Sequence, residues 1–214
     1  MRVGILGTGD VGRALGLGFV ALGHEVRMGA REANNEKALA WAKDLGATAS
    51  TGTFADAASF GDVVVLATLG MANESALEQA GPDRLRGKVV IDATNPLDFS
   101  AGMPPKLAVS GNDSAGERVQ RLLPDAHVVK AFNTVGNPFM FRPAFPGGPP
   151  DMFIAGNSDE AKKTVSLILK DFGWGVVDVG GIESSRYLEA MCMVWVLSAM
   201  RTNSWNQAFK LLKT

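Results

Sequence analysis

The sequence predicts an α/β fold, a doubly wound parallel sheet with a small C-terminal α/β annex. Three observations carry this expectation. Short apolar runs alternate with longer helical patterns over residues 1–134, the signature of strands joined by crossover helices. The strand candidates are nearly continuous in Val, Ile, Leu and Ala, as strands covered on both faces are. A glycine-spaced turn, Gly7-Thr8-Gly9-Asp10-Val11-Gly12, leaves the first apolar run and opens a helical pattern.

In chain order, strands are expected at Arg2–Leu6, Glu25–Met28, Val63–Ala67, Val89–Asp92 and His127–Ala131, with a shorter one at Ala47–Ala49. Between them the apolar spacing predicts helices at Val11–Leu22, Glu36–Leu45, Ser75–Ala80 and Ala115–Leu123. After Thr134 the rhythm changes. Residues 136–150 carry Pro138, Pro143, Pro146, Pro149 and Pro150 among three glycines, which no regular element tolerates. A strand (Met152–Ala155), a helix (Ser158–Phe172, with Ser158 as N-cap) and a second strand (Val176–Val179) follow. A final helical region starts near Ser184 and extends toward Leu212, with room for a break. The predicted division is a dinucleotide-type domain over 1–134 and an annex over 135–214 that packs on the same sheet.

Composition bounds the function. The chain has 214 residues, 46% hydrophobic and 20% charged, with a net charge of −1; this is globular composition with a sizeable core. No run of five Lys or Arg occurs, which argues against nucleic-acid partners and a polybasic membrane anchor. The longest apolar window, Met191–Met200, is too short to span a membrane. One cysteine, Cys192, rules out an intrachain disulfide and fits a buried, inert thiol in a reducing compartment. With a strand starting directly after Met1, the expected location is the cytoplasm. There is no clustered Cys/His set, no H-E-x-x-H and no Ser–His–Asp arrangement, so neither a metal nor a hydrolytic triad is expected.

The glycine turn carries chemistry. Gly7 permits the tight exit from the strand, Gly9 lets a diphosphate approach the backbone, and Gly12 lets the helix pack close to the sheet. Unpaired N–H groups at the helix start then face the phosphate charge. These features make residues 1–134 a Rossmann-type dinucleotide domain. The end of the second strand chooses the nucleotide. NAD-selective sites place Asp or Glu there; here Met28 and Gly29 are followed by Ala30 and Arg31. An arginine forks onto a 2′-phosphate, so NADP(H) is the expected cofactor, with Lys37 a candidate second cation. Glu32 keeps an NAD-type carboxylate open as the alternative, or a pairing with Arg31.

Ligands in such sheets lie beyond the carboxyl ends of the strands. There the sequence places Thr68-Leu69-Gly70, Thr94-Asn95-Pro96 and Asn133-Thr134-Val135. Asn95, Asn133 and Thr134 can orient a nicotinamide carboxamide, and Thr68, Leu69 and Gly70 can line its ribose. His24 and His127 begin strands, at the wrong end for catalysis. No acid–base residue is therefore expected to be catalytic; positioning of two rings would do the work.

Several segments resemble one family, the F420-dependent NADP oxidoreductases and their relatives. They are Gly7–Gly12, Leu22-Gly23-His24-Glu25-Val26, Gly29-Ala30-Arg31, Asp92-Ala93-Thr94-Asn95-Pro96-Leu97, Lys130-Ala131-Phe132-Asn133-Thr134, Gly156–Lys163 and Ser185-Arg186-Tyr187-Leu188-Glu189. The resemblance spans nearly the whole chain. It implies hydride transfer between NADP(H) and a small-molecule redox partner stacked in a cleft between domain and annex. In the archetype that partner is the deazaflavin coenzyme F420. A similar domain forms the cytosolic part of six-transmembrane metalloreductases, where a flavin relays electrons. Deazaflavin-using members tend to carry His where this sequence has Asn133, so FMN and FAD stand beside F420 as second substrates.

The expected second-substrate cleft comprises Asn133, Val135, Phe139, Phe141 and Arg186, with the segment Phe139–Pro150 as its wall. Arg186 and Glu189 share a helix face and either pair with each other or free Arg186 for an anionic group of the acceptor. The helix that follows is apolar nearly all round, which predicts a homodimer contact. Two other readings remain at this point, a non-catalytic NADP(H) redox sensor and a short imine or 3-hydroxyacid reductase.

Overall fold

The computed structural model describes residues 1–214. Five strands and four helices alternate first: β1 (Arg2–Leu6), α1 (Asp10–Ala21), β2 (Glu25–Ala30), α2 (Glu36–Leu45), β3 (Ala49–Thr53), α3 (Phe54–Phe60), β4 (Val63–Leu66), α4 (Asn73–Ala80) and β5 (Val89–Asp92). A two-stranded antiparallel hairpin, β6 (Leu97–Asp98) and β7 (Lys106–Leu107), interrupts them before α5 (Ala115–Leu122) and β8 (His127–Lys130). The annex adds β9 (Asp151–Gly156), α6 (Asp159–Asp171), β10 (Gly175–Asp178) and α7 (Ser185–Thr202).

The main sheet has eight strands in the order β10-β9-β8-β5-β4-β1-β2-β3. All neighbours are parallel except β8 and β9. Running out from β1, the order 3-2-1-4-5 followed by β8 is that of a doubly wound dinucleotide fold, and the annex strands extend the same sheet.

Period-two alternation builds a core on each face of the sheet. Val63 and Val65 of β4 join Ile5, Met28 and Ile91 beneath α1, α2 and α6. Val64 and Leu66 turn the other way, against α3, α4 and α5. Phe172, wholly buried, gathers the rings of Phe19, Phe132 and Phe141 at centroid distances of 4.9, 5.6 and 5.2 Å. Each such pair adds about 0.5–1.5 kcal/mol beyond its buried area.

Most expected elements are present within one or two residues, and three differences have physical causes. The third strand starts where Ala47–Ala49 was expected to end, because β2 holds it through Val26–Ala30 paired with Ala49–Thr53. Helix α3 was not expected. Thr53 and Asp56 form a capping box, Thr53 Oγ1 accepting from Asp56 N at 3.1 Å and Asp56 Oδ2 from Thr53 N at 2.8 Å. The last helix ends at Thr202 and does not run toward Leu212, because Asn203 turns left-handed at φ 50°. The tail then folds back on β9. Phe209 O accepts from Asp151 N at 2.9 Å, and Asp151 Oδ2 accepts from Leu211 N at 2.8 Å.

Candidate active site

Strand order reverses between β1 and β4, where ligands of open α/β sheets bind beyond the strand ends. The chain leaves β1 through Gly7, whose φ of +129° is closed to L side chains and whose Cβ would collide with the Ala67 carbonyl oxygen. A Cβ on Gly12 would likewise meet the Gly7 carbonyl oxygen. Gly9 differs. Its φ of −74° is open to any residue, and a Cβ there would meet nothing within 4 Å. Gly9 is also the N-cap of α1, and no side chain caps that end, so its first N–H groups lack helical partners. An open hollow over an uncapped helix start fits a diphosphate. Thr8 borders this turn half-buried; Asp10 is exposed and pairs with Arg13 one turn on.

At the end of β2, Met28, Gly29 and Ala30 are buried, while Arg31 and Glu32 just beyond it are exposed. Arg31 and Glu32 do not pair, and neither Arg31 nor Lys37 makes an ion pair; Arg31 is thus left available for an anion. Lys37 lies in the first turn of α2, bordering a hollow of about 420 Å³ with Arg13 and Trp41. Arg31 is not among the residues lining that hollow.

A second cavity, about 220 Å³, opens beside the strand ends. One wall is Val11, Ala93, Asn95, Phe132, Asn133 and Val135. The facing wall comes from the β6–β7 hairpin (Leu97, Phe99, Met103, Pro105), from α7 (Cys192, Trp195, Val196) and from Trp205 of the tail. None of these residues carries a charge. The Cys192 thiol, buried, is pushed up to about 12 by loss of solvent, so it stays protonated and unreactive at neutral pH.

Asn133 and Asn95 are the polar side chains of this cavity, and Asn133 is the more buried. Its Nδ2 donates to Asn95 Oδ1 at 3.0 Å and to Leu188 O at 2.9 Å, while Asn95 Nδ2 donates to Asn133 O at 2.8 Å. Two acceptors on one NH2 fix the amide's orientation. Asn133 Oδ1 is left buried with no partner, in a residue only 3% exposed. Such an orphan costs about 1–3 kcal/mol and suits an N–H or O–H donor on a ligand. The preceding Phe132 sits at φ 62°, its N–H donating to Met152 Sδ at 3.1 Å. A bulky residue held there stores about 1–3 kcal/mol and swings Asn133 toward the cavity.

Beneath the cavity runs a buried polar chain. Thr68 Oγ1 donates to Asn73 Oδ1 (2.7 Å), Asn73 Nδ2 to Thr94 Oγ1 (2.8 Å) and Thr94 Oγ1 to Asp92 Oδ1 (2.7 Å). Lys130 Nζ then lies 3.0 Å from Asp92 Oδ2 and 2.8 Å from Glu189 Oε1. Burial pulls the Lys130 pKa down, but the two carboxylates outweigh it and leave it raised.

The structure therefore gathers some expected residues and not others. Asn95, Asn133, Val135 and Val11 line the cavity. Leu69 stands exposed and Gly70 packs on the Asn95 carbonyl, so the loops after β4 and β5 touch. Pro96 is buried beneath them. Thr94 is turned into the polar chain, and the Thr134 hydroxyl faces Met152 Sδ at 4.0 Å; neither lines the cavity. Phe139 packs on Phe145 at 5.0 Å and Phe141 on Phe172. The proline-rich segment contributes only Met140 to the wall, because Phe139 and Phe141 pack against the core instead and Phe145 against Phe139. Arg186 is held by Glu117 at 2.8 and 2.5 Å, and pairs neither with Glu189 nor with the cavity. Asn73 was not anticipated, nor was the union in one buried cluster of Asp92, Lys130 and Glu189, which the sequence named only within the family-like segments and, for Glu189, as a partner for Arg186. A signal existed: a lysine after Val128-Val129 in a strand covered on both faces must find a buried counter-charge.

Comparison with known proteins places the chain in a family. Residues 2–96 match the family described as NADP oxidoreductase, coenzyme F420-dependent. The F420-dependent NADP reductase of Methanocaldococcus jannaschii is 32% identical, over 89% of this chain and 89% of that protein. The chain belongs to the F420-dependent NADP reductase family. As a member it is an NADP-dependent oxidoreductase. A crystal structure of an Arthrobacter sp. FB24 protein, itself provisionally assigned as an F420-dependent NADP reductase, superposes on this chain with a TM-score of 0.95. It is 37% identical and covers 100% of both chains. Rat metalloreductase STEAP3 is 31% identical over 89% of this chain, which spans only 36% of STEAP3's length. No helix of the chain is long and apolar enough to cross a membrane.

Proposed function

We propose that the protein transfers a hydride between NADP(H) and a ring acceptor of the deazaflavin or flavin type: F420, FMN or FAD. The observation that carries this reading is the cavity wall, which holds no charged group and no acid or base titrating near neutrality. A ketone that accepts a hydride becomes an alkoxide and needs a positioned proton donor. A flavin-type ring delocalises the added charge and needs only to be stacked at short range. NADPH supplies the hydride when bound. Gly7, Thr8, Gly9, Asp10, Val11 and Gly12 would hold its diphosphate, and Arg31 its 2′-phosphate, with Ala30 and Lys37 alongside. Thr68, Leu69 and Gly70 would border its ribose. Asn133 Oδ1 would accept from its carboxamide.

The test is stopped-flow oxidation of NADPH and of NADH against F420, FMN and FAD. Turnover with at least one ring is expected, faster with NADPH. Arg31→Ala should weaken NADPH binding by about ten- to a hundredfold and leave NADH nearly unchanged. Tight NADPH binding without turnover on any ring would sink the proposal.

We further propose that two copies pair across α7, where Tyr187, Val194, Leu197 and Met200 lie exposed opposite the buried Leu188, Cys192 and Trp195. Light scattering should return twice the chain mass; a monomer mass would refute this.

A further inference from the structure

Lys130, Asp92 and Glu189 have 0%, 0% and 1% exposure. Buried triads of this kind can often be exchanged for apolar residues at no loss of stability, so stability alone does not account for this one. Its placement does. Asp92 ends β5, Lys130 ends β8, and Glu189 lies in the second turn of α7. The triad thus ties the strand ends that carry Asn95 and Asn133 to the helix that forms the opposite wall.

Each member also fixes a neighbour. Asp92 Oδ1 accepts from Thr94 N at 2.9 Å and from Thr94 Oγ1, setting the turn that presents Asn95. Glu189 follows Leu188, whose carbonyl accepts from Asn133 Nδ2. Its own two oxygens accept from Ala115 N at 3.0 Å and Gly116 N at 2.9 Å. Helix α7 is thereby held along its axis from α5 and from β8 at once. Cys192 and Val196, three and seven residues beyond Glu189, fall on the same helical side and line the cavity.

We propose that Glu189, acting through Lys130 and through the Leu188 carbonyl, is a positioning residue that sets the separation of the cavity walls and the orientation of the Asn133 amide. The role in turnover rests on the hydride-transfer reading above; the effect on Asn133 does not. Hydride transfer is steep in distance, and a misplacement of about 1 Å costs on the order of a hundredfold in rate.

The experiment compares Glu189→Gln, which breaks the α7–β8 ion pair with Lys130, with Glu117→Gln, which breaks the α5–α7 ion pair with Arg186, one that does not reach the cavity. In the ligand-free protein, the nitrogen-15 cross-peak of the Asn133 side-chain amide should shift in Glu189→Gln and stay in place in Glu117→Gln. With NADPH and a ring acceptor, Glu189→Gln should lower kcat by about ten- to a hundredfold while KM for NADPH stays within about twofold. Its deuterium isotope effect should become strongly temperature-dependent, and that of Glu117→Gln should match the wild type. An unmoved Asn133 cross-peak, or equal losses in both variants, would overturn the proposal. A wild-type protein that turns over no ring would sink the acceptor reading alone, since the amide signal is read without ligands. Should Glu189→Gln not fold, Asp92→Asn at the other end of the triad carries the same comparison.

Discussion

Lys130→Met is expected to lower the unfolding free energy by about 3–5 kcal/mol. The variant leaves two carboxylates buried, Asp92 at 0% and Glu189 at 1% exposure, with their shared cation gone. Asp92 would retain only the Thr94 donors, and Glu189 only the N–H groups of Ala115 and Gly116. In a chain of this size, each kcal/mol moves the melting temperature by about 2–4 °C. Urea and thermal unfolding at neutral pH measure both quantities. The pH dependence has a definite sign. Against burial, the two carboxylates raise the folded-state pKa of Lys130. Its stabilising contribution is therefore complete below the unfolded lysine value, about 10.4, and is lost as pH climbs through the higher folded value. The contribution of Lys130 to the wild type should be flat through neutrality and fall only in strong alkali. Equal stability at pH 7 would mean that the triad contributes nothing net.

Gly9→Ala is expected to separate the nucleotide site from the fold. The backbone at Gly9 already has an alanine-compatible φ, and its missing Cβ faces open space. Only the poorer N-cap preference of alanine counts against it, at most about 1 kcal/mol. A methyl group over the uncapped start of α1 would stand where the diphosphate must approach, and NADPH binding should weaken by at least thirtyfold, about 2 kcal/mol. Gly12→Ala makes the contrast, since its Cβ would strike the Gly7 carbonyl oxygen and should cost stability and binding together. Titration of intrinsic fluorescence with NADPH, beside thermal unfolding, reads both variants. Wild-type affinity in Gly9→Ala would show that the diphosphate lies elsewhere.

How far the sequence reached depended on whether the physics was local. The strands β1, β4, β5 and β8 were legible because their apolar runs need no partner to be recognised, and the glycine turn because its spacing answers to one geometry. The N-cap of α6 was likewise legible from Ser158, whose side chain accepts from Ala161 N at 3.2 Å. Helix α3 was overlooked, although Thr53 and Asp56 spell a capping box, because its seven residues hold too few turns for a periodic pattern to stand out. The cavity wall was beyond reach. Phe99 and Met103 of the hairpin are brought to Trp195 and Trp205 of a helix and its returning tail, which lie far from the hairpin in the chain. The aromatic residues of the proline-rich segment looked like a wall because local composition cannot say that Phe172 will claim Phe141. Arg186 was misjudged for a similar reason, since Glu117 lies 69 residues away.

The β6–β7 hairpin, α7 and the tail all stand outside the eight-stranded sheet, and that placement divides labour in the molecule. Every residue that meets the proposed nucleotide diphosphate comes from the β1–α1 turn, whereas the wall facing the strand ends comes from the β6–β7 hairpin, α7 and the tail, none of which adds a strand to the first half of the sheet. Drift in those three segments can recut the shape of the acceptor pocket while the β1–α1 turn and the strands around it remain untouched. A lineage built this way can change what it reduces without relearning how to hold its reductant.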